Sequence, residues 1–235
     1  MVRCWWKKAA RIATNNEQRT TNKLVKGNLI IISSPSGGGK GTLIREVREM
    51  MPELGYSVSH TTRRMRAGEE HGREYYFVDR EQFERHIADG EFLEYANVHG
   101  QMYGTSLAEV ERVFTSGKDL IVEVDVQGAL QIVNDKRLTD QPVSIFILPP
   151  SFEILRNRLT SRGTEDDAGL ATRLKNAFSE VQQYNHFKYV VINEDIANAS
   201  RQIAAIILAE RQTLDRQTEA IQVILDSFDA SKYRL

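Results

Sequence analysis

Between an apolar run, Leu29-Ile30-Ile31-Ile32, and an amphipathic helical pattern lies the segment Ser34-Pro35-Ser36-Gly37-Gly38-Gly39-Lys40-Gly41-Thr42. Few segments restrict a fold so tightly. A buried strand must end where glycines let the backbone turn sharply enough to aim several N–H groups at one anion. A helix must begin at the same place, adding the partial positive charge of its N-terminus, and Lys40 adds a full one. Ser34 to Thr42 therefore read as a phosphate cradle of the P-loop type. A glycine-rich turn that binds nothing is the competing reading, and three glycines ahead of a lysine have no packing purpose that would favour it. Two positions depart from the pattern. Ser34 stands where a first glycine is expected, and Gly41 stands where a Ser or Thr hydroxyl would reach Mg²⁺. Thr42 is the nearest substitute, so the metal is expected to be held through water and the phosphates themselves, with Thr42 as its candidate side chain.

The rest of the composition is compatible with one α/β domain carrying insertions: 235 residues, 41% hydrophobic and 27% charged,. A single cysteine, Cys4, excludes an intramolecular disulfide and a cysteine-based metal site, which makes the cytoplasm the expected compartment,. The histidines, His60, His71, His86, His99 and His186, show no ligand-like spacing. The longest aliphatic stretch, Ile203 to Leu208, is too short to span a bilayer,. The net charge of −1 conceals an asymmetry, because residues 1–26 hold seven basic side chains against Glu17 and leave 24 basic and 31 acidic residues for the remainder. That polar tail has no apolar period and no h-region. Its readings are a disordered basic segment, an organelle-targeting segment, or an upstream extension from a start assigned too early, with Val25 a position at which initiation can occur.

Apolar periodicity predicts a helix from Gly41 to about Met51, a strand-like Tyr56–Ser59, an arginine-rich loop over Thr61–Arg73 and a short strand over Tyr75–Val78. A helix over Arg80–Asp89 capped by Asp79, a strand over Glu91–Val98 and a helix capped by Ser106 that stops at Gly117 follow. Asp119–Asp125 and Val143–Leu148 read as strands, Ser151 caps a helix running to about Ser161, and Leu170–Tyr184 is helical. Tyr189–Ile192 is the last strand, and Asp195 caps a long C-terminal helix. Strands alternating with helices predict a parallel sheet covered on both faces.

Four constellations carry chemistry. Ser59-x-Thr61-Thr62-Arg63-x-x-Arg66-x-Gly68-Glu69 with Tyr75 sets two arginines where they can converge on one phosphate, or simply form a solvated basic loop. Glu91-Phe92-Leu93-Glu94-Tyr95-Ala96 precedes Tyr103-Gly104-Thr105-Ser106. Strand alternation puts Glu94 on the same face as Phe92, either projecting a carboxylate into a pocket beside an aromatic or exposed to solvent. Glu123-Val124-Asp125-Val126-Gln127-Gly128 places acids at the C-terminal end of a strand, which faces the ligand crevice in open parallel sheets; Asp125 can also cap the next helix. Arg158 and Arg162, one helical turn apart, and then Arg173 flank Gly163 and the acids Glu165-Asp166-Asp167.

In this order, together with Ile-Leu-Pro-Pro-Ser (147–151), Arg-Gly-Thr (162–164) and Val-Ile-Asn (191–193), these motifs resemble those of guanylate kinases from about Gly27 to about Arg211, roughly four-fifths of the chain. The resemblance implies an α/β P-loop kinase with a parallel-sheet core, helices on both faces, an inserted GMP-binding subdomain and a small helical lid. It implies a core of 27–58, 99–158 and 185–211, an insert of 59–98, a lid of 159–184, and a helical extension over 212–235. It further implies a guanine pocket of Ser59, Glu94 and Asp125. The GMP phosphate clamp would be Arg63, Arg66, Tyr75 and Tyr103, with Glu69, Gly104 and Thr105 nearby. Lys40 and the lid arginines Arg162 and Arg173 would be catalytic, and Asn193 would lie near the adenine of ATP. Besides Ser34 and Gly41, Glu123 departs from the family's usual Asp.

The implied reaction is ATP + GMP ⇌ ADP + GDP with Mg²⁺, and dGMP as a further acceptor. Its nucleophile, a phosphate oxygen, is already ionised, so no general base is required and catalysis rests on positioning and charge neutralisation. Expected partners are the two nucleotides, with no specific nucleic acid and no membrane; a homo-oligomer is left open. The rival readings are a P-loop kinase for another phosphorylated acceptor and a non-catalytic binding module of the same fold. The intact glycines and Lys40 argue against the second.

Overall fold

Every residue of the first strand is buried, and the architecture is organised around it. The computed structural model describes residues 27–98, 100–138, 140–161 and 167–228; the basic tail and Arg162 lie outside the described residues. In chain order the elements are β1 (Leu29–Ser33), α1 (Lys40–Met50), β2 (Gly55–Tyr56), β3 (His60–Thr61), β4 (Tyr76–Phe77), α2 (Arg80–Ala88), β5 (Phe92–Val98), β6 (Gln101–Ser106) and α3 (Leu107–Phe114). They continue with β7 (Leu120–Glu123), α4 (Val126–Val133), β8 (Val143–Leu148), α5 (Phe152–Ser161), α6 (Asp167–Val181), β9 (Tyr189–Ile192), α7 (Ile196–Arg211) and α8 (Leu214–Ser227).

The core sheet has the order β2-β7-β1-β8-β9 with every pairing parallel, so β1 is its central strand. A strand buried on both faces needs apolar residues at consecutive positions rather than alternate ones, which is what Leu29 to Ile32 supply. Ile30 and Ile32 pack with Leu43, Ile44 and Val47 of α1 and with Ala199, Ile203 and Ile207 of α7. Leu29 and Ile31 face the opposite layer, where Val110 and Val113 of α3 meet Val126, Ala129 and Ile132 of α4.

A second sheet, ordered β4-β3-β6-β5, stands beyond the ends of the core strands, with β6 antiparallel to both neighbours. Phe83 of α2 closes its back and stacks on Phe92 with ring centroids 4.6 Å apart. Helix starts follow the sequence signals. Asp79 forms a reciprocal capping box with Gln82, and Asp125 and Asp195 accept the N–H groups of Gly128 and Asn198 at 2.8 Å each,.

Three local expectations are altered. Of the expected Tyr56–Ser59 strand only Tyr56, with Gly55 before it, joins the core sheet, because the chain then has to cross toward the second sheet. The helix over 170–184 starts at Asp167, stops at Val181 and tightens into a 3₁₀ turn over Gln182–His186. The second sheet also takes in β6, past residue 98 where the insert was expected to end; Gly104 weakens the strand pattern of this hairpin partner,. Among the described residues no helix is long and apolar enough to cross a membrane.

Ile31 is fully buried at the centre of the sheet. Ile31→Ala should cost about 2–5 kcal/mol, measured as a lowered urea midpoint with an unchanged slope; a loss below about 0.5 kcal/mol would contradict this placement of the core.

Candidate active site

The loop after β1 is a backbone device. Gly37 and Gly39 have φ of +84° and +91°, the left-handed region, and Gly39 is the residue from which α1 starts,. A Cβ at Gly39 would also overlap Asn193 Nδ2. The departure at Ser34 has a local explanation. Its hydroxyl donates to the Pro35 carbonyl at 3.0 Å, which also accepts the Gly38 N–H at 2.9 Å, and a Cβ at Gly38 would lie only 2.7 Å from that of Ser34. Serine is tolerated at position 34 because position 38 is glycine.

Asn193 is placed under this loop rather than opening outward. It is 2% exposed, its Nδ2 donates to the Gly38 carbonyl at 2.9 Å, and Arg158 Nη2 donates to its backbone carbonyl at 3.0 Å. Lys40 Nζ donates to the Val124 carbonyl at 2.5 Å and lies 4.0 Å from Glu123 Oε1. Glu123 Oε2 accepts the Tyr56 hydroxyl at 3.0 Å, and burial followed by the Glu123 charge holds that hydroxyl protonated far above its usual range.

Lys40 opens onto a pocket of about 150 Å³ walled by Ser59, Tyr75, Glu94, Tyr103 and Asp125, together with Tyr56, Ser57, Glu74 and Glu123. The core sheet contributes Glu123 and Asp125 through the end of β7, and the second sheet contributes the rest of the far wall. A larger cavity of about 390 Å³, bordered by Phe92, Gln131 and the Asp135–Arg137 pair, contains none of the predicted residues.

Glu94 is brought into the pocket by an irregularity the sequence does not announce. The β5–β6 register shifts between Phe92, opposite Ser106, and Glu94, opposite Thr105. The expectation that Glu94 and Phe92 share a face therefore fails. Phe92 turns to Phe83 and the larger cavity, whereas Glu94 lines the pocket at Lys40 with Ala96 and Val98,. Glu94 is 4% exposed. Burial is the main cause that raises its pKa to about 7, the Asp125 carboxylate adds to it, and the neighbouring Thr105 pulls the other way,.

The arginine loop is only partly at the pocket. Arg63 is held by Glu69, Nη2 to Oε1 at 2.7 Å, with its guanidinium 5.3 Å from the centroid of the pocket residue Tyr75. Glu69 Oε2 accepts the Arg66 N–H at 2.8 Å, so Glu69 shapes the loop, while the Arg66 side chain is exposed away from the pocket lining. Gly104 is a packing position, since a Cβ there would come within 3.1 Å of Phe83 and Phe92. Arg173 lies half-buried on α6. Sequence reasoning missed Tyr56, Ser57 and Glu74; the alternation that puts Ser57 on the face of Ser59 was the available signal for one of them.

Among the described residues no group of three or more His, Cys, Asp or Glu side chains is gathered to hold a metal. Partly buried Thr42 sits in the first turn of α1, and Glu123 Oε1 would be 3.8 Å from a Cβ at Gly41. One hydroxyl and one carboxylate beside a phosphate cradle fit a divalent ion held mainly by nucleotide and water.

A P-loop at the end of the central strand of a parallel sheet, sharing its pocket with a second, inserted sheet, defines a P-loop kinase fold. The guanylate kinase family model matches residues 26–210. Guanylate kinase of Clostridium perfringens (strain SM101 / Type A) is 43% identical over 201 residues, spanning 84% of this chain and 92% of that protein. The Clostridium tetani guanylate kinase is 44% identical over 196 residues, 83% and 92% of the two chains. The crystal structure of guanylate kinase from Anaplasma phagocytophilum superposes with a TM-score of 0.66 at 35% identity, covering 82% of this chain and 90% of that one. The chain belongs to the guanylate kinase family, the ATP:GMP phosphotransferases.

The raised Glu94 pKa has a stability consequence. Between its unperturbed value of 4.5 and about 7 the folded chain holds a proton that the unfolded chain has released. Its contribution is thus fully present below about pH 4.5 and is lost as pH rises through about 7. The Tm of the nucleotide-free wild type should fall relative to Glu94→Gln across that window; parallel Tm profiles would contradict the burial argument.

Proposed function

We propose that this chain carries out its family's reaction, ATP + GMP ⇌ ADP + GDP, in the pocket between the P-loop and the second sheet. The observation that supports this most is that Lys40, at the head of the phosphate cradle, and the buried Glu94 line one pocket. We assign the ATP phosphates to the backbone of residues 34–42, apart from the Ser36 N–H that Glu180 holds, and to Lys40, which also lines the pocket. Asn193 and Arg158 support the cradle from below.

On the acceptor side, guanine presents N1–H and N2–H₂ donors to Glu94 and Asp125 and its O6 to the Ser59 hydroxyl. In adenine the pattern at the six position is reversed and the two-amino group is missing, which leaves a buried carboxylate without partners, a penalty of up to about 10⁴-fold in discrimination. Arg63, aimed by Glu69 and flanked by Tyr75 and Tyr103, holds the GMP phosphate. Arg66 joins it when the exposed loop closes, and Thr105 backs Glu94. dGMP is a second acceptor because the reading contacts are made to the base.

The attacking phosphate oxygen is ionised at neutral pH, so these residues act by alignment and by charge. Arg162 and Arg173 neutralise the charge that spreads over the phosphoryl group in transit. The divalent ion is Mg²⁺, which when bound spreads positive charge over the phosphate oxygens; Thr42 and Glu123 would hold it, through water. The insert is best drawn from Ser59 to Ser106, following the second sheet, and the lid as 159–184. The single cysteine supports a cytoplasmic location.

A coupled assay of ADP release across GMP, dGMP, AMP, CMP and UMP tests the reading. Turnover is expected with GMP and dGMP, with AMP used about 10⁴-fold less efficiently; comparable turnover of AMP would overturn it. In the same assay Glu94→Ala should raise the KM for GMP far more than that for ATP, and equal effects on both would remove its base-reading role.

A further inference from the structure

One contact at the P-loop belongs to none of the roles above. The Ser36 N–H donates to Glu180 Oε2 at 2.9 Å, across 144 residues of sequence. A carboxylate is an adverse neighbour for a loop that receives a triphosphate, so its presence there calls for a reason other than charge complementarity. The hydrogen bond itself is of the strong, charge-assisted kind.

Glu180 lies near the end of α6, and the same helix carries Arg173 seven residues earlier. Positions 173, 177 and 180 recur at the i, i+4, i+7 spacing that places them on one helix face. The middle one, Ala177, is 2% exposed and packs with Leu155 and Leu159 of α5. Leu159 in turn backs the P-loop, since a Cβ on Gly37 would lie 2.9 Å from its Cγ. The lid helix is therefore seated on α5 by an apolar contact, which is non-directional,. Among the described residues, the Glu180 carboxylate ties it to the cradle through the Ser36 N–H. Rotation of α6 about its axis would sweep the long Arg173 side chain, about 10 Å further along the helix, away from any group held by the loop.

We propose that Glu180 is a positioning residue: by tying α6 to the Ser36 N–H it fixes the helix orientation that aims Arg173 at the phosphoryl group held by the P-loop. The inference rests on the role assigned to Arg173 above. Displacement of a catalytic group by about an ångström is worth roughly 10²-fold in rate, and a lost phosphoryl-facing arginine roughly 10³-fold or more.

The test is steady-state kinetics of Glu180→Ala, Glu180→Gln, Arg173→Ala and the Glu180→Ala/Arg173→Ala double variant. Glu180→Ala should lower kcat about 10²-fold with the KM for GMP within about threefold of wild type. Glu180→Gln should recover most of that loss, because its amide oxygen still accepts the Ser36 N–H. The double variant should be no slower than Arg173→Ala alone. If Glu180→Ala does not fold, Glu180→Asp, one methylene too short for the contact, takes its place. An unchanged or raised kcat in Glu180→Ala, with tighter ATP binding, would mean that the carboxylate merely occupies the loop, and would overturn the proposal. Losses that multiply in the double variant would overturn it as well. Arg173→Ala with wild-type kcat would remove the Arg173 role and this inference with it, whereas an impaired Arg173→Ala beside an unimpaired Glu180→Ala removes the inference alone.

Discussion

A loop that binds phosphate through main-chain N–H groups works only if its backbone is already fixed when the ligand arrives, and the rest of this structure is arranged around that requirement. The left-handed conformations at Gly37 and Gly39 are stable because the chain on either side is immobilised. β1 enters from the centre of a parallel sheet with every residue buried, and α1 leaves with Leu43, Ile44 and Val47 locked into the same core. From below, Asn193 ties down the Gly38 carbonyl, and Ser34 closes the turn on Pro35. The orientation of N–H groups toward one point, the property that binds the anion, is thus set by a hydrophobic sheet and a few side-chain bonds away from the ligand.

The second demand on the fold is a buried carboxylate. Glu94 is nearly inaccessible and has Asp125 as an electrostatic neighbour, a placement that disfavours its charged form and destabilises the empty protein at neutral pH,. The base-reading role proposed above gives that placement a use, because the group would be satisfied when guanine's donors enter and left unsatisfied when they do not. The β5 irregularity that turns Glu94 away from Phe92 is the local backbone feature that makes the placement reachable. The two effects belong together, since a carboxylate in water would discriminate weakly between bases.

The Glu180 tether extends the same logic to the lid. Apolar packing of α6 on α5 supplies adhesion without direction, whereas a single hydrogen bond to a main-chain donor supplies direction. In the proposed arrangement the P-loop thereby anchors the arginine-bearing helix as well as holding phosphate.

Much of this was legible in the sequence where the signal is local. The buried strand, the glycine turn and the helix caps at Asp79, Ser106, Asp125 and Asp195 each depend on residues a few positions apart. The family resemblance that the motifs carry then implies one pocket for Ser59, Glu94 and Asp125 before any coordinate is known. Where signals come from pairs far apart in the chain, reading fails. Tyr56 and Ser57 enter the pocket because the chain leaves the core sheet there, and Asn193 reaches Gly38 across 155 residues. By itself the sequence determined the fold class, the phosphate cradle and the family, since periodicity and loop chemistry are properties of short stretches. Only the tertiary structure decided which face Glu94 shows, how Ser34 is accommodated and that Glu180 reaches Ser36. Register, close approach and a bond across 144 residues exist only once the sheets have packed.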